Sequence, residues 1–390
     1  MRRGISNLSG RTPTRTASHH PCWYYGTCNS LGIRSQRTVP TKSTSIRSSS
    51  SSSTAAGSSH HQKQKQQPFC LLDLRDSGLS VIERLCLKEC LLRHDHRQWM
   101  IWGTHCHPTK SKKNLVVPPN NDNNMPSYLL SKNQHQKRTI NDDNNNDDDD
   151  DPCIVVMGIG GKPALLLNIE RVREDGIWVI KRFSGGGTVV VDRNCLYTTI
   201  IGRTNHLGDV VPPYPREIMA WTATEVFEPL FRNLKEMAIV RSTNEQQQQH
   251  PVEQDYPEFS LRENDYVLGS TQKVAGNAQS IVKTGFLHHT TFLWSYKKKN
   301  MEYLTLPAKR PAYRKDRSHS NFLIQLKDAY HDQLVMGDFF DSLERVCHDT
   351  FDVEKISLNE ALTVVQDVVG PGGLQAFFET KSRTRLIDIS

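Results

Sequence analysis

The chain has 390 residues, 36% of them hydrophobic and 23% charged, with a formal net charge of +7. Ten Lys or Arg residues precede the first acidic residue, Asp73; the other 39 basic residues face 42 acidic ones, a balance of −3 that excludes a nucleic-acid binder by bulk charge. No apolar run approaches the length needed to span a bilayer, and nine scattered cysteines without a CxxC pair fit free thiols in a reducing compartment, not a disulfide framework.

Residues 1–67 read as leader and linker. The segment is rich in Arg and Ser and lacks acids, the pattern of a mitochondrial or plastid transit peptide, and its arginine weighting favours the mitochondrion. Order is predicted from Phe69, with a helix over Leu79–Leu92 that is broadly apolar and turns Glu83, Arg84 and Lys88 toward one side. Cys86 and Cys90, one turn apart on it, should face the core. A short strand follows at Trp99–Trp102.

Residues 107–152 read as a low-complexity insertion, with Asn and Asp runs at 120–124 and 141–151. Its five consecutive aspartates lack the spacing and glycine of a calcium loop. His105, Cys106 and His107 lack further ligands at a workable spacing for a metal.

Structure is predicted to resume with a β-rich run at Cys153–Met157, a helix over Lys162–Asp175, and strands at Ile177–Ile180, Thr188–Val191 and Leu196–Ile201. Glu217–Leu234 is predicted helical. Phe227, Leu230, Phe231 and Leu234 fall on one face, and Pro229 is a potential kink. A second insertion, 244–254, holds four consecutive glutamines. Strands are then expected around Tyr266–Leu268, Lys273–Ile281 and His289–Tyr296. The last third reads as helical: Phe339, Leu343, Val346 and Cys347 share a face, and Ser357 with Glu360 forms a capping-box pattern ahead of Leu362. Strands in the middle with helices on both sides imply an α+β class, a mixed sheet with helices packed around it. One catalytic domain is expected over 68–370, with a tail at 371–390.

Three stretches could carry chemistry. Lys181-Arg182-Phe183-Ser184-Gly185-Gly186-Gly187-Thr188 lies between two strands. Three glycines let a ligand approach the main chain and let N–H groups face an anion, with Arg182 as a fixed charge beside them. A plain hairpin turn would use the same glycines. The bend is neither a Walker loop nor a dinucleotide fingerprint. Asp265 to Gln279 combines Lys273 with the small residues Ala275, Gly276 and Ala278, either a site for close approach or a strand with a surface lysine. His288 and His289 sit side by side on a strand and so point to opposite faces, which makes them poor joint metal ligands. Cys195 is either a nucleophile or a small buried residue.

In this order the three stretches resemble the signatures of lipoate–protein ligases and the related lipoyl- and octanoyltransferases. The first resembles Arg-Arg-x-x-Gly-Gly-Gly-x-Val-x-His-Asp, the second Lys-Val-Ser-Gly-Ser-Ala, the third His-His-Gly-Thr-Leu-Leu. The resemblance spans roughly 69–365 without the insertions. It implies the biotin/lipoate protein ligase type of catalytic domain, with ATP and magnesium as substrate and counter-ion and lipoate or octanoate as the acyl substrate. The acceptor would be a lysine of a lipoyl domain, in E2 subunits or a glycine-cleavage H protein.

By the same resemblance Lys273 is the catalytic lysine. Arg182, Ser184, Gly185, Gly186, Gly187, Thr188, Gly276, Ala278, His288 and His289 line the acyl-adenylate site, and Asp265 meets nucleotide and magnesium. Departures from the pattern are Lys181 for the first arginine, Val191 for the histidine, Ala275 and Asn277 for the serines, and Thr290 for a glycine. Bacterial-type members carry an accessory C-terminal domain that assists adenylation. Fewer residues follow the Ser357 helix here, so a separate accessory partner or a preformed acyl donor is expected. The rival expectations are an octanoyltransferase that uses a carrier-protein thioester and a catalytically silent acyl-binding homologue.

Overall fold

A computed structural model describes residues 67–105, 153–246, 255–307 and 310–389. The leader up to residue 66, the whole insertion at 107–152 together with Cys106, and the second insertion from residue 247 to 254 lie outside the described residues.

The chain opens with β1 (Phe69–Asp73), α1 (Val81–His94) and β2 (Gln98–Thr104). Ser80 caps α1 reciprocally: its hydroxyl accepts from Glu83 N, and the Glu83 carboxylate accepts from Ser80 N at 2.7 Å. Next come β3 (Ile154–Met157), β4 (Trp178–Lys181), β5 (Gly185–Gly186), β6 (Val189–Val191) and β7 (Cys195–Arg203). The helix expected over Lys162–Asp175 is two short ones, Pro163–Leu166 and Ile169–Glu174, because the Asn168 side chain accepts from Arg171 N and starts a second helix.

A long helical stretch follows: α2 (Pro215–Thr222), a wide π turn (Ala223–Phe227) and α3 (Glu228–Gln246). Pro229 has no N–H to give the preceding turn, and the widened turn just before it absorbs the missing bond without a break. Residues 244–246, read from the sequence as insertion, are the last of α3. Phe227, Leu230, Phe231 and Leu234 are all buried, as their spacing predicts.

The second half adds β8 (Phe259–Arg262), β9 (Asp265–Leu268), β10 (Gln272–Lys273), β11 (Ala275–Val282) and β12 (Gly285–Leu293). It ends with α4 (Met336–Thr350), β13 (Val353–Lys355), α5 (Leu358–Val369), α6 (Gly373–Thr380) and β14 (Arg385–Ile387). Ser357 caps α5, accepting from Glu360 N at 3.2 Å. Residues 371–390 are therefore no tail: they supply a helix and a paired strand.

The strands form three sheets. Seven run in the order β13-β1-β2-β7-β12-β11-β5, with β1 parallel to both of its neighbours and the other pairs antiparallel. Four run β14-β4-β3-β6, with only β3 and β4 parallel, and β10-β9-β8 is an antiparallel trio. With helices around these mixed sheets, the class is α+β.

The large sheet is buried on both faces, and the strand period of two sorts its residues. Leu71, Met100, Leu196, Phe286 and Phe292 pack toward α2, α3 and α4. Leu72, Trp99, Tyr197, Leu287 and Leu293 pack toward α1, α5 and the four-stranded sheet. Cys86 and Cys90 are buried in that second core. Arg84 and Lys88, expected on a polar side of α1, are buried as well.

Arg203, at the end of β7, ties the sheet to α1. Its buried guanidinium donates to the carbonyls of Leu91 and Leu92 at 2.7 Å each and of Arg97 at 2.9 Å, capping the helix C-terminus where a cation is favoured. Arg203→Met removes these three donations, and among the described residues only Leu91 O keeps a backbone donor, Asp95 N. It should lower the unfolding free energy by about 3 kcal/mol, seen as a lower urea midpoint.

Candidate functional site

Arg182 follows β4 and points inward. Its Nη1 donates to Val156 O at 3.2 Å, and its Nη2 to Gly185 O at 3.2 Å and Gly187 O at 2.8 Å. One guanidinium thus holds both sides of the glycine bend and the adjacent strand β3. The bend pairs with β11, Gly186 opposite Ala278 and Gly185 opposite Gln279. Gly186 has φ +115°, a conformation that L side chains rarely adopt, and a Cβ there would lie 2.4 Å from Asn277 O. Ser184 is buried, and its carbonyl accepts from Ile159 N at 3.0 Å; the buried Thr188 hydroxyl has no hydrogen-bond partner.

A narrow cavity lies beside this bend. Val81, Arg84, Leu85 and Lys88 line it from α1 at spacings of three, four and seven residues, one face of a helix. Arg182, Val156, Val189 and Val191 line it from the four-stranded sheet and its exit, Gly276, Asn277, Ala278, His289 and Thr291 from β11 and β12, and His105, just past β2, with its Nδ1 3.4 Å from Arg84 Nη2. Gly276 keeps it open, since a Cβ there would meet Val189 Cγ1 at 2.7 Å. The volume is about 20 Å³, in the measure in which one water needs about 10–15 Å³.

The adjacent histidines separate as their strand requires. His289 faces the cavity, with Thr199 Oγ1 2.6 Å from its Nδ1 and Tyr197 stacked on it. Burial, and then the nearby basic side chains of Lys88, His105 and Arg182, hold its pKa well below the ordinary range, so it is a neutral imidazole. His288 faces the opposite core. The Gln279 amide donates to its Nδ1 at 3.1 Å, which puts its proton on Nε2, 3.0 Å from the Tyr266 hydroxyl oxygen. That hydroxyl gives its own proton to Met219 O.

Lys273 and Asp265 form a separate cluster. The Lys273 ammonium is ion-paired with Asp265 Oδ1, and the Tyr313 hydroxyl donates to Oδ2 at 2.9 Å. Lys273 is partly exposed and leads through Val274 into β11, but it does not line the cavity. Arg314 and Lys273 add to burial in pushing His319 down to about 4, which marks the locality as electropositive. Both Asp265 oxygens are engaged, and among the described residues no three His, Cys, Asp or Glu side chains are placed to hold a metal. The residues present thus do not fit a magnesium held by the protein.

Of the residues singled out from the sequence, Arg182, Gly276, Ala278 and His289 line the cavity, while Ser184, Gly185, Gly186, Gly187 and Thr188 lie beside it and, like His288, Lys273 and Asp265, are outside its lining. Arg84, Lys88, Asn277 and Val81 were missed. The spacing of the α1 residues was legible, but two cations on it read as solvent-facing.

The chain matches the family described as lipoyl protein ligase A/B catalytic domain over residues 149–347, half of its length. It belongs to that family. A curated relative of this lipoyl ligase family member, the inactive lipoate–protein ligase 2 of Plasmodium falciparum (isolate 3D7), is 30% identical over 197 residues, 48% of this chain and 50% of the relative. The chain thus spans about half the length of the relative it matches. Among solved structures it is similar to an archaeal bipartite lipoate protein ligase with its E2 lipoyl domain from Thermoplasma acidophilum (TM-score 0.46, 13% identity, 81% of this chain and 93% of that one). It is also similar to lipoate-protein ligase A bound with ATP (TM-score 0.44, 13% identity, 81% and 95%).

Burial decides the behaviour of two further groups. Cys195 is fully buried, and burial, followed by the Asp192 charge, raises its thiol well above the ordinary range, so it is protonated at neutral pH. Iodoacetamide should leave it unmodified in the native protein and alkylate it after denaturation, read by peptide mass spectrometry.

Burial also lowers His288 to about 3. Above its unfolded pKa of about 6.5 it is neutral in both states and contributes no pH dependence. As pH falls below that value the unfolded chain takes up a proton that the folded chain refuses. Stability is then lost at up to about 1.4 kcal/mol per pH unit. His288→Gln should flatten the drop in unfolding free energy between about pH 7.5 and pH 5.5.

Proposed function

We propose that this chain transfers a medium-chain acyl group of the lipoyl or octanoyl kind to a lysine of a lipoyl-domain acceptor, by way of an acyl-adenylate, in the mitochondrion. The observation that carries the reading is the convergence of Arg182, the Gly276–Ala278 segment and His289 on one cavity, with the glycine bend held beside it by Arg182, within a family-matched domain. In this reading the acid's carboxylate attacks the α-phosphate of ATP and pyrophosphate leaves. The acceptor amine then attacks the acyl carbonyl, loses a proton and releases AMP.

Both steps build negative charge on oxygen. Lys273, fixed by Asp265 and Tyr313 on the strand that leads into β11, supplies a positioned cation for them. Arg182 acts by shape: its Nη2 donates to the Gly185 and Gly187 carbonyls, so it holds the bend open to a ligand. A carrier-protein thioester route through Cys195 has less support, because that thiol is buried and protonated.

A second reading, an acyl-binding homologue without turnover, is favoured by the narrowness of the cavity: an octanoyl chain would need Arg84 or Lys88 to swing aside.

The test offers a lipoyl domain with lipoate plus ATP, octanoate plus ATP, or octanoyl-carrier protein, and weighs the product. The expected result is an ATP-dependent mass gain, unchanged in Cys195→Ser and at least about 100-fold slower in Lys273→Ala. Full-rate transfer by Lys273→Ala would overturn the role of this lysine. Binding of acid without transfer from any donor would establish the second reading.

A further inference from the structure

The cavity beside the glycine bend is lined by three cationic side chains, Arg84, Lys88 and Arg182, and by no acidic one. Each of the three is at most 3% exposed. Arg84 donates to the Thr104 carbonyl, and Arg182 to the three carbonyls named above. The Nε of both arginines and the Nδ2 of Asn277 are buried without a hydrogen-bond partner. Among the described residues Lys88 makes no hydrogen bond or ion pair; its Nζ lies 3.7 Å from the centre of the Tyr197 ring. A cation–π contact compensates only a small part of the hydration that a buried ammonium loses.

A hydrocarbon tail placed here would bring no acceptor for these donors and no charge for these cations. It would make their burial worse by excluding the last water. A carboxylate would bring two acceptor oxygens and a negative charge, and a space little larger than one water leaves no room for a chain of methylenes.

We propose that this cavity is a carboxylate site, and that the acid handled by the protein carries a second anionic group at the end remote from the one that is activated. Arg84 and Lys88, one turn apart on α1, are its specificity-determining residues, with Arg182 and Asn277 completing the donor set. The substrate class is an ω-carboxylated aliphatic acid. This rests on the reading above, in which the acyl chain is held beside the glycine bend with its reactive end toward Lys273.

Suberate and octanoate differ only in the remote carboxylate and serve as probes. Calorimetric titration of the full chain should give suberate at least about tenfold tighter than octanoate, a difference of about 1.4 kcal/mol. Lys88→Met and Arg84→Met should each lose that preference. Folding of the variants is checked by thermal unfolding: removing a buried amine that has no hydrogen-bond partner should leave the unliganded midpoint of Lys88→Met equal or higher. Suberate should raise the wild-type midpoint and leave that of Lys88→Met in place.

Octanoate binding as tightly as suberate, or an unchanged preference in a folded Lys88→Met protein, overturns the proposal, as does binding of neither acid. The transfer assay keeps the two inferences apart. Octanoyl transfer with no preference for the diacid preserves the ligase reading and sinks this one. Suberate-selective binding with no transfer of either acid supports this one and sinks the ligase.

Discussion

Burial of the central sheet on both faces is the constraint from which the rest of the arrangement follows. Once both sides must be apolar and packed, each strand sends alternate residues to different neighbours, and no residue can move to the other side without shifting its whole strand by one. That constraint parts Phe286 from Leu287 and His288 from His289. Phe286 and His288 belong to the helix-covered core with Tyr266, Leu287 and His289 to the core shared with α1 and the smaller sheet. The cavity exists only on the latter side, where α1 and the four-stranded sheet meet β11 and β12.

On that side the energetics are unusual. Buried charges are ordinarily matched by opposite ones, and the chain does so elsewhere: both oxygens of the buried Asp338 carboxylate accept from the more exposed Arg241, at 2.6 and 2.7 Å. Around the glycine bend the donors go to main-chain carbonyls instead. Carbonyls satisfy hydrogen bonds but not net charge, so a region of positive potential persists inside the protein. The depressed basicity of Lys88, driven by burial and by Arg84, is the imprint of that potential on a titratable group.

Much of this was legible in the residues. The strands of the middle section, the buried stripe on α3 and the Ser357 cap each have a local cause, and local causes survive into the fold. The opposed histidines followed from the strand period alone. The errors came where distant contacts outweigh local pattern. A helix that carries Arg84 and Lys88 looks half solvent-facing until β2, β7 and β12 are placed against it. The residues after Gly370 look like an end until Arg385, Leu386 and Ile387 pair with Lys181, Ile180 and Val179. Lys273 carried the motif, but whether it lines a cavity depends on where β10 leaves its trio for the large sheet, which no short window of sequence contains.

That final strand has a mechanical meaning. Just before it, Ser382 Oγ and Arg383 N donate to the buried carboxylate of Glu89, the α1 residue next to Lys88, while the strand itself is zipped to β4, whose next residue is Arg182. A few residues near one end of the chain therefore clasp two walls of the cavity at once. Peeling that clasp away would leave the Glu89 carboxylate to Arg93 alone and slacken both the helix and the guanidinium that shape the bend. A fusion or affinity handle joined directly after residue 390 would pull on this clasp.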